Sequence, residues 1–361
     1  MAGQPKHVQV SDWIRERILS GEFKKGSKLL SENELAKRFG ISRQTVRQAV
    51  GTLVNERMLE RRRGSGTYIS YQPKPIREKT GNIAVVTTYL DSYVFPDIIH
   101  GIEQVLTAAG YQMQLGITYN RIKNEGNVLS SMLSGQVDGF IIEPTKSAFP
   151  NPNIKLYQRM LEEEIPVVFL NGYYSNLEIP HVSMDDYMAG RIATKAMIQK
   201  GHQRLFGIFK SDDIQGHFRF SGFVNSVQDA GLSYDDSDVL WYVTEDLRQF
   251  FAPENDSFLL KRLEGHSGIV CYNDEVACLL CETLRRNGKG VPDDFSLVSF
   301  DNSQLATFGG LSLSSVDYPF QEIGRTAAAQ LVERLEAGRG PMGASFSPKL
   351  IERGSILKMK K

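Results

Sequence analysis

Apolar residues in the first seventy positions recur at helical spacing, whereas beyond residue 82 they gather into short runs separated by amphipathic stretches. Trp13, Ile14, Ile18 and Leu19 predict a first helix that stops at Gly21. Ser31 with Glu34 three residues on forms a capping-box signature, opening a helix through Leu35, Ala36 and Phe39 that Gly40 ends. Ser42 caps a third helix, whose apolar positions Val46, Ala49, Val50 and Leu53 follow the i, i+3, i+4, i+7 pattern. Arginines 61–63 then lead into Gly64-Ser65-Gly66 and the β-rich Thr67-Tyr68-Ile69, which reads as a hairpin with a small flexible tip.

From Asn82 onward short strands alternate with helices. The strand runs are Ile83-Ala84-Val85-Val86, Gln112-Met113-Gln114-Leu115, Gly139-Phe140-Ile141-Ile142, Val167-Val168-Phe169-Leu170, Leu205-Phe206-Gly207-Ile208-Phe209, Gly268-Ile269-Val270-Cys271 and Ser296-Leu297-Val298-Ser299-Phe300. Helical patterns lie between them, near residues 98–109 and 127–134 among others. This alternation predicts an α/β body of two doubly wound lobes with parallel sheets covered on both faces. The expected domains are a winged helix-turn-helix over 1–70, a linker over 71–81 and an effector-binding body over 82–361. Lobe 1 is expected to take 82–182 and 314–340, and lobe 2 to take 183–312.

Charge separates head from body. The whole chain is neutral, yet residues 1–80 hold 17 Lys+Arg against 8 Asp+Glu, leaving the remainder at −9. A basic head on an acidic body suits a polyanion partner for the head alone. The three cysteines (Cys271, Cys278 and Cys281) are clustered and odd in number, so they give no disulfide framework; Cys278-x-x-Cys281 lies in an apolar run and reads as buried helix thiols. The first ten residues lack an apolar secretory core and no window suits a membrane helix, so a cytoplasmic protein without membrane contact is expected.

The third helix carries Arg43, Gln44, Thr45, Arg47 and Gln48 on its outer face, with no acidic residue from 42 to 55. A recognition helix presents its first turns to the major groove, where Arg pairs with guanine and Gln with adenine. The hairpin tip, Arg62, Arg63, Gly64, Ser65, Gly66 and Thr67, is placed to reach phosphates or the minor groove. In the body, polar residues cluster after strand ends, where open α/β sheets bind ligands. They include Tyr89, Asp91 and Tyr93, Glu143 and Lys146, Asn171, Gln215 and Arg219, Asn273 with Asp274, and Asp301 with Asn302. Planar amides and carboxylates among aromatic faces suit a polyol. Asp185, Asp274 and Asn302 can equally serve as helix caps.

An enzyme is not expected. The six histidines are scattered, neither a Gly-x-Ser-x-Gly elbow nor metal-ligand spacing occurs, and Asp212-Asp213 and Asp235-Asp236 read as solvated loop pairs. Neither dinucleotide nor P-loop glycine spacing is present, so no cofactor is expected.

Leu30-Ser31-Glu32-Asn33-Glu34-Leu35-Ala36, Ser42-Arg43-Gln44-Thr45-Val46-Arg47-Gln48-Ala49 and Arg62-Arg63-Gly64-Ser65-Gly66-Thr67-Tyr68 together resemble the winged-helix head of the GntR family. The resemblance adds Ser31, Glu32, Asn33 and Ser42 to the DNA-facing set. Leu30 replaces a frequent Pro. Arg57 replaces a usual Gly before the wing, where holding φ > 0 costs about 1 kcal/mol.

Arg219-Phe220-Ser221-Gly222-Phe223, Tyr272-Asn273-Asp274-Glu275-Val276-Ala277, residues 291–301 and Leu313-Ser314-Ser315-Val316 resemble the sugar-binding, periplasmic-binding-protein-like body of the lactose-repressor family. That resemblance implies ligand roles for Asn171, Arg219, Asn273 and Asp301, with Asn171 standing where Asp is frequent. The pairing of this head with this body, with Thr87-Thr88-Tyr89, residues 143–148, Gly207-Ile208-Phe209-Lys210 and Gln215-Gly216, resembles arabinose-responsive repressors. It implies L-arabinose as effector, although residue chemistry alone does not separate it from another pentose or hexose. Double-stranded operator DNA, a sugar and a second copy of the chain are the expected partners. Pro73 and Pro75 disfavour a helix in the linker.

Overall fold

The computed structural model describes residues 5–71, 79–90, 93–338, 340 and 342–359. The chain divides into two compact units, residues 1–78 and 79–361. The expected linker and its Pro73 and Pro75 lie mostly outside the described residues, as does Asp91.

The first unit holds α1 (Lys6–Leu19), α2 (Glu32–Phe39), α3 (Arg43–Asn55), β1 (Leu59–Arg62) and β2 (Gly66–Ile69). Ser31 and Glu34 form the reciprocal capping box, Gly40 ends α2 at φ 61°, and Ser42 accepts from the Thr45 backbone N–H. Val46, Ala49, Val50 and Leu53 pack on Ile14, Ile18 and Leu35 in one small core. Leu19, expected on the buried face of α1, is 51% exposed, because the core stripe runs through Val10, Ile14 and Ile18. Arg57 sits at φ 58°, the left-handed position expected for it. β1 and β2 pair antiparallel, with Leu59 opposite Ile69.

In the second unit, the first lobe begins with β3 (Asn82–Thr87), α4 (Phe95–Ala108), β4 (Gln112–Ile117), α5 (Ile122–Ser134), β5 (Gly139–Ile142), α6 (Ile154–Glu162), β6 (Val167–Leu170) and β7 (His181–Met184). The chain then crosses into the second lobe with α7 (Asp186–Gln199), β8 (Leu205–Lys210), α8 (Ile214–Asp229), β9 (Val239–Tyr242), α9 (Leu247–Phe250), α10 (Asp256–Leu263), β10 (Gly268–Cys271), α11 (Asp274–Arg286), β11 (Ser296–Asp301) and β12 (Ser314–Asp317). It closes with α12 (Phe320–Ala337), β13 (Ala344–Phe346) and β14 (Lys349–Ile351).

One sheet runs β4-β3-β5-β6-β7-β13 and the other β9-β8-β10-β11-β12-β14. Both are parallel except that β14 runs antiparallel to β12, a departure from the all-parallel expectation. The lobe boundaries also change. β12 pairs with β11 and so belongs to the second lobe, whereas α12 packs on α4 in the first. β13 returns to the first sheet and β14 to the second, so the chain crosses between lobes three times. The expected division at 183 falls within β7, two residues before the crossing at Asp185. β7, β12, β13 and β14 are three or four residues long and include polar residues, which is why periodicity alone does not expose them; β9, Val239-Leu240-Trp241-Tyr242, is an apolar run missing from the expected strands.

Glycines set the two tight helix contacts. A Cβ at Gly101 of α4 would lie 2.1 Å from the Gln321 carbonyl oxygen of α12, and one at Gly190 of α7 would lie 2.2 Å from that of Arg219 on α8. The second contact fixes where α8 delivers Arg219.

Candidate functional site

On the first unit, Arg43, Gln44, Arg47 and Gln48 are exposed on α3, and Thr45 is half-buried. Arg47 is paired with Glu32 of α2 at 3.0 Å, which lifts the guanidinium above its ordinary range through that hydrogen bond. Ser31 and Ser42 spend their hydroxyls on the caps, so what they can offer a phosphate is helix-start geometry. Asn33 is exposed beside Ser31.

At the hairpin tip the Ser65 N–H donates to the Arg62 carbonyl at 3.0 Å, and Gly64 and Gly66 take φ 73° and 120°. Arg62 stacks over the Tyr68 ring at 4.3 Å, and Arg63 and Thr67 flank the turn. Lys28 makes a bridge to Tyr68 and crowds Gly66, adding a cation at the tip. Residue order hides Lys28, because it reaches the wing only through that pairing.

In the second unit a cavity of about 760 Å³ lies between the lobes, at the C-terminal ends of the strands. Tyr89, Tyr93, Glu143, Asn171, Gln215, Arg219, Asn273 and Asp301 all line it. Each stands at or just past a strand end or on the helix that follows, and side chains from both lobes meet there.

Arg219 is 1% exposed and organises the floor of the cavity. Its Nε donates to Asp186 at 2.8 Å, one NH1 bond reaches the Tyr272 carbonyl at 2.6 Å, and Asp301 lies 3.9 Å away. Burial is the largest single influence and would depress its pKa, but the Asp186 charge and hydrogen bond together with Tyr272 and Asp301 outweigh it and hold the guanidinium ionised. For Asp186 the balance tips the other way: burial raises its pKa against the pull of Arg219. Asp301 is pushed up to about 7, chiefly by burial and against the opposing Arg219 charge. It adopts φ 100°, and Asn171 φ 62°. Such backbone strain costs about 1–3 kcal/mol per residue and gathers at functional sites.

The remaining polar groups form one network. Tyr93 donates to Asp301 at 2.6 Å. Glu143 accepts from the Thr88 N–H at 2.9 Å, from the Thr88 hydroxyl, and from the Asn171 amide at 2.9 Å. Tyr318 donates to Asn171 at 3.0 Å, and Gln215 donates to Asp186 at 3.0 Å. Asn273 lines the cavity while its side-chain Oδ1 accepts from the Val276 N–H at 3.0 Å and caps α11.

Four expectations are corrected. Lys146 does not line the main cavity; its Nζ is held by Asp212 at 2.9 Å and Glu245 at 2.8 Å, across the lobes. Asp212-Asp213 is not a solvated pair: Asp212 is fully buried, and Asp213 lines the cavity and accepts from the Tyr272 hydroxyl at 2.8 Å. Both follow β8, so the strand-end rule applied elsewhere would have found them. Asp185 does cap α7, but Asp274 and Asn302 are not caps. Asp274 accepts from Ser299, Ser303 and Ser315, and Asn302 bridges Asp317 and Arg353.

Three further groups escaped the sequence reading. Asp186 was overshadowed by its neighbour Asp185. Lys210 ends β8 and lies within 4 Å of both Asp212 and Asp213. Glu125, fully buried on α5, accepts from Tyr157, Tyr174, Asn151 and Asn153 and so braces the loop that carries Glu143 and Lys146. Nothing in a lone Glu on a helix signals this.

The cysteines are free; burial raises Cys278 to about 11 and Cys281 to about 12, so neither is a thiolate near neutrality. Among the described residues, no cluster of His, Cys, Asp and Glu suits a metal ion, and no helix is long and apolar enough to cross a membrane.

Comparison with known proteins agrees with this division of the chain. Residues 6–69 match the bacterial regulatory proteins of the gntR family, and residues 194–356 match a periplasmic binding protein-like domain. An arabinose metabolism transcriptional repressor of Halalkalibacterium halodurans is 36% identical, over 99% of this chain and 98% of that protein. One from Geobacillus stearothermophilus is 39% identical over 92% of each. The crystal structure of the transcription regulator CcpA of Lactococcus lactis superposes with a TM-score of 0.67 at 25% identity, covering 76% of this chain and 98% of that one.

Proposed function

The chain belongs to the family of the arabinose metabolism transcriptional repressors, and from that premise we propose that L-arabinose is the effector that releases it from its operator. It is a sugar-responsive, DNA-binding transcriptional repressor, not an enzyme. The observation that carries the effector reading is the convergence of Glu143, Asn171, Gln215, Arg219 and Asp301 in one cavity between the lobes. Planar, paired acceptors and donors with tyrosine faces around them match the vicinal hydroxyls and C–H surface of a sugar ring.

The working form is a cytoplasmic homodimer that needs no cofactor. Each α3 enters a major groove of a pseudo-palindromic operator, with the wing on adjacent phosphates. Sugar draws the lobes into one arrangement and disfavours the placement of the heads that suits DNA. This requires that the sugar bind the two states with different affinity.

Fluorescence anisotropy of the full chain on a duplex taken from its own regulatory region tests the scheme. Saturating L-arabinose is expected to weaken binding at least tenfold, while D-glucose leaves it unchanged; no response to any pentose or hexose refutes the effector reading. A thermal-shift panel of the same sugars reports binding directly, because a ligand specific for the folded state raises apparent stability by mass action.

A further inference from the structure

The cavity has two linings. Side chains from strand ends and α8 form a deep polar one in which Asn171, Gln215, Arg219, Asp301, Tyr272 and Tyr318 are all less than 9% exposed. A second lining comes from α9, α11 and the 3-10 segment Gln304–Gly310, and consists of Leu247, Arg248, Glu275, Cys278, Leu279 and Leu305. Its apolar members are half-buried, and Arg248 and Glu275 are exposed, which places this lining toward the mouth.

Among the described residues the lobes are bonded at two places away from the crossings. Tyr93 bonds Asp301 at one, and at the other Lys146, Asn120 and Ser147 bond Asp212, Thr244 and Asp213. The cavity between them, open at its mouth, measures about 760 Å³. A pentose, with the volume of about five waters at roughly 30 Å³ each, fills only the polar floor.

We infer that the outer lining is a subsite for a second sugar ring, so that the cavity accepts a short pentose oligosaccharide as well as the monosaccharide. Leu247, Leu279, Leu305 and the Cys278 side chain offer an apolar shelf for ring C–H surface. Glu275 and Arg248 stand at the rim as planar hydroxyl partners. Opposite charges facing the same space disfavour both an anionic and a cationic substituent, leaving a neutral polyol as the chemistry that fits. This inference rests on the sugar reading of the polar floor.

Isothermal titration of the full chain with L-arabinose and with its α-1,5-linked disaccharide tests it, on the wild type and on Leu279→Trp and Arg248→Ala. The wild type is expected to bind the disaccharide at least as tightly as the monosaccharide. Each variant is expected to lower the disaccharide-to-monosaccharide affinity ratio at least fivefold; Arg248 is exposed, so its variant reports even if the tryptophan disturbs folding. Binding of the monosaccharide without the disaccharide, or a ratio unmoved in Arg248→Ala, overturns the subsite and leaves the effector reading standing. Binding of neither sugar overturns both.

Discussion

Lys146, in the loop after β5, donates from its Nζ to Asp212 after β8 at 2.9 Å and thereby ties one lobe to the other. Asp212 is fully buried; one of its oxygens, Oδ1, has no hydrogen-bond partner, and Lys210 stands 3.9 Å from it. The Lys146 bond is the one full charge-assisted hydrogen bond to this carboxylate, which also accepts at Oδ2 from the Thr244 N–H at 3.1 Å and the Asn120 amide at 3.4 Å.

Lys146→Met is expected to destabilise the second unit by about 1–3 kcal/mol, the cost of leaving a buried charged acceptor short of its donor. It is also expected to weaken sugar binding, because the joined arrangement of the lobes loses a bond. Urea denaturation of the single variants and of Lys146→Met with Asp212→Asn measures the coupling. Additive effects, with no coupling beyond about 0.5 kcal/mol, would show that the bond holds nothing together.

Arg219→Met removes the buried cation that faces Asp186 and Asp301 at the cavity floor. Breaking a buried pair on one side costs roughly 3–5 kcal/mol, since the remaining charge keeps its desolvation penalty. A lower melting temperature and loss of the sugar-induced thermal shift are expected together. Arg219→Lys should recover part of the stability but little of the sugar response, because an ammonium cannot reproduce the fork that bonds Asp186 and the Tyr272 carbonyl at once. A lysine variant with wild-type sugar affinity would show that charge alone suffices.

Asp301 makes the protein sensitive to pH. Its folded value of about 7 lies above the ordinary carboxyl value of 3.8, so between the two the unfolded chain has released a proton that the folded one keeps. Stability from this group is present below about pH 4 and is lost as pH rises through about 7. Asp301→Asn is expected to remove that decline, measured as the difference in urea midpoint between pH 5 and pH 8. Sugar affinity should move oppositely, rising over pH 6–8 as Asp301 becomes a full acceptor. Tyr93, Arg219, Asp186 and Asp274 are the charged or titratable groups acting on it, and burial raises Asp186 and Asp274 as well, so the comparison with Asp301→Asn is what assigns the effect. An affinity equally pH-dependent in Asp301→Asn would assign the effect elsewhere.

How much of this could be read from residue order follows the range of the interactions. The head was readable almost throughout: Ser31, Glu34, Gly40 and Ser42 act on residues within four positions, and such bonds leave a local signature. The cavity was readable as a class, because strand ends gather ligand groups whatever the fold's details. Asp212 follows β8, a strand-end signal that is readable locally, but the Lys146 bond that accompanies its burial comes from 66 positions away and leaves no local sign. The three crossings between lobes were hidden for the same reason: β12 joins the second sheet by pairing with β11, while α12 turns back onto α4, and neither choice is written in their periodicity.

Arg47 and Glu32 bring the same reasoning to the DNA face. Their ion pair at 3.0 Å is exposed, so it is weak, and a base edge must displace Glu32 to engage the Arg47 guanidinium fully. Glu32→Gln is therefore expected to tighten operator binding about two- to fivefold, by removing a competitor and a like charge from the phosphates. Arg47→Ala should weaken operator binding on the order of tenfold to a hundredfold and relax sequence preference at a single base pair. Arg63→Ala should instead weaken all duplexes alike and lower the slope of log affinity against log salt by about 1, the signature of one lost phosphate contact. Anisotropy titrations over a salt series on operator and scrambled duplexes separate these outcomes. If Arg47→Ala weakened both duplexes equally, Arg47 would be a phosphate contact, and base reading would fall to Arg43 and Gln44 ahead of it on α3.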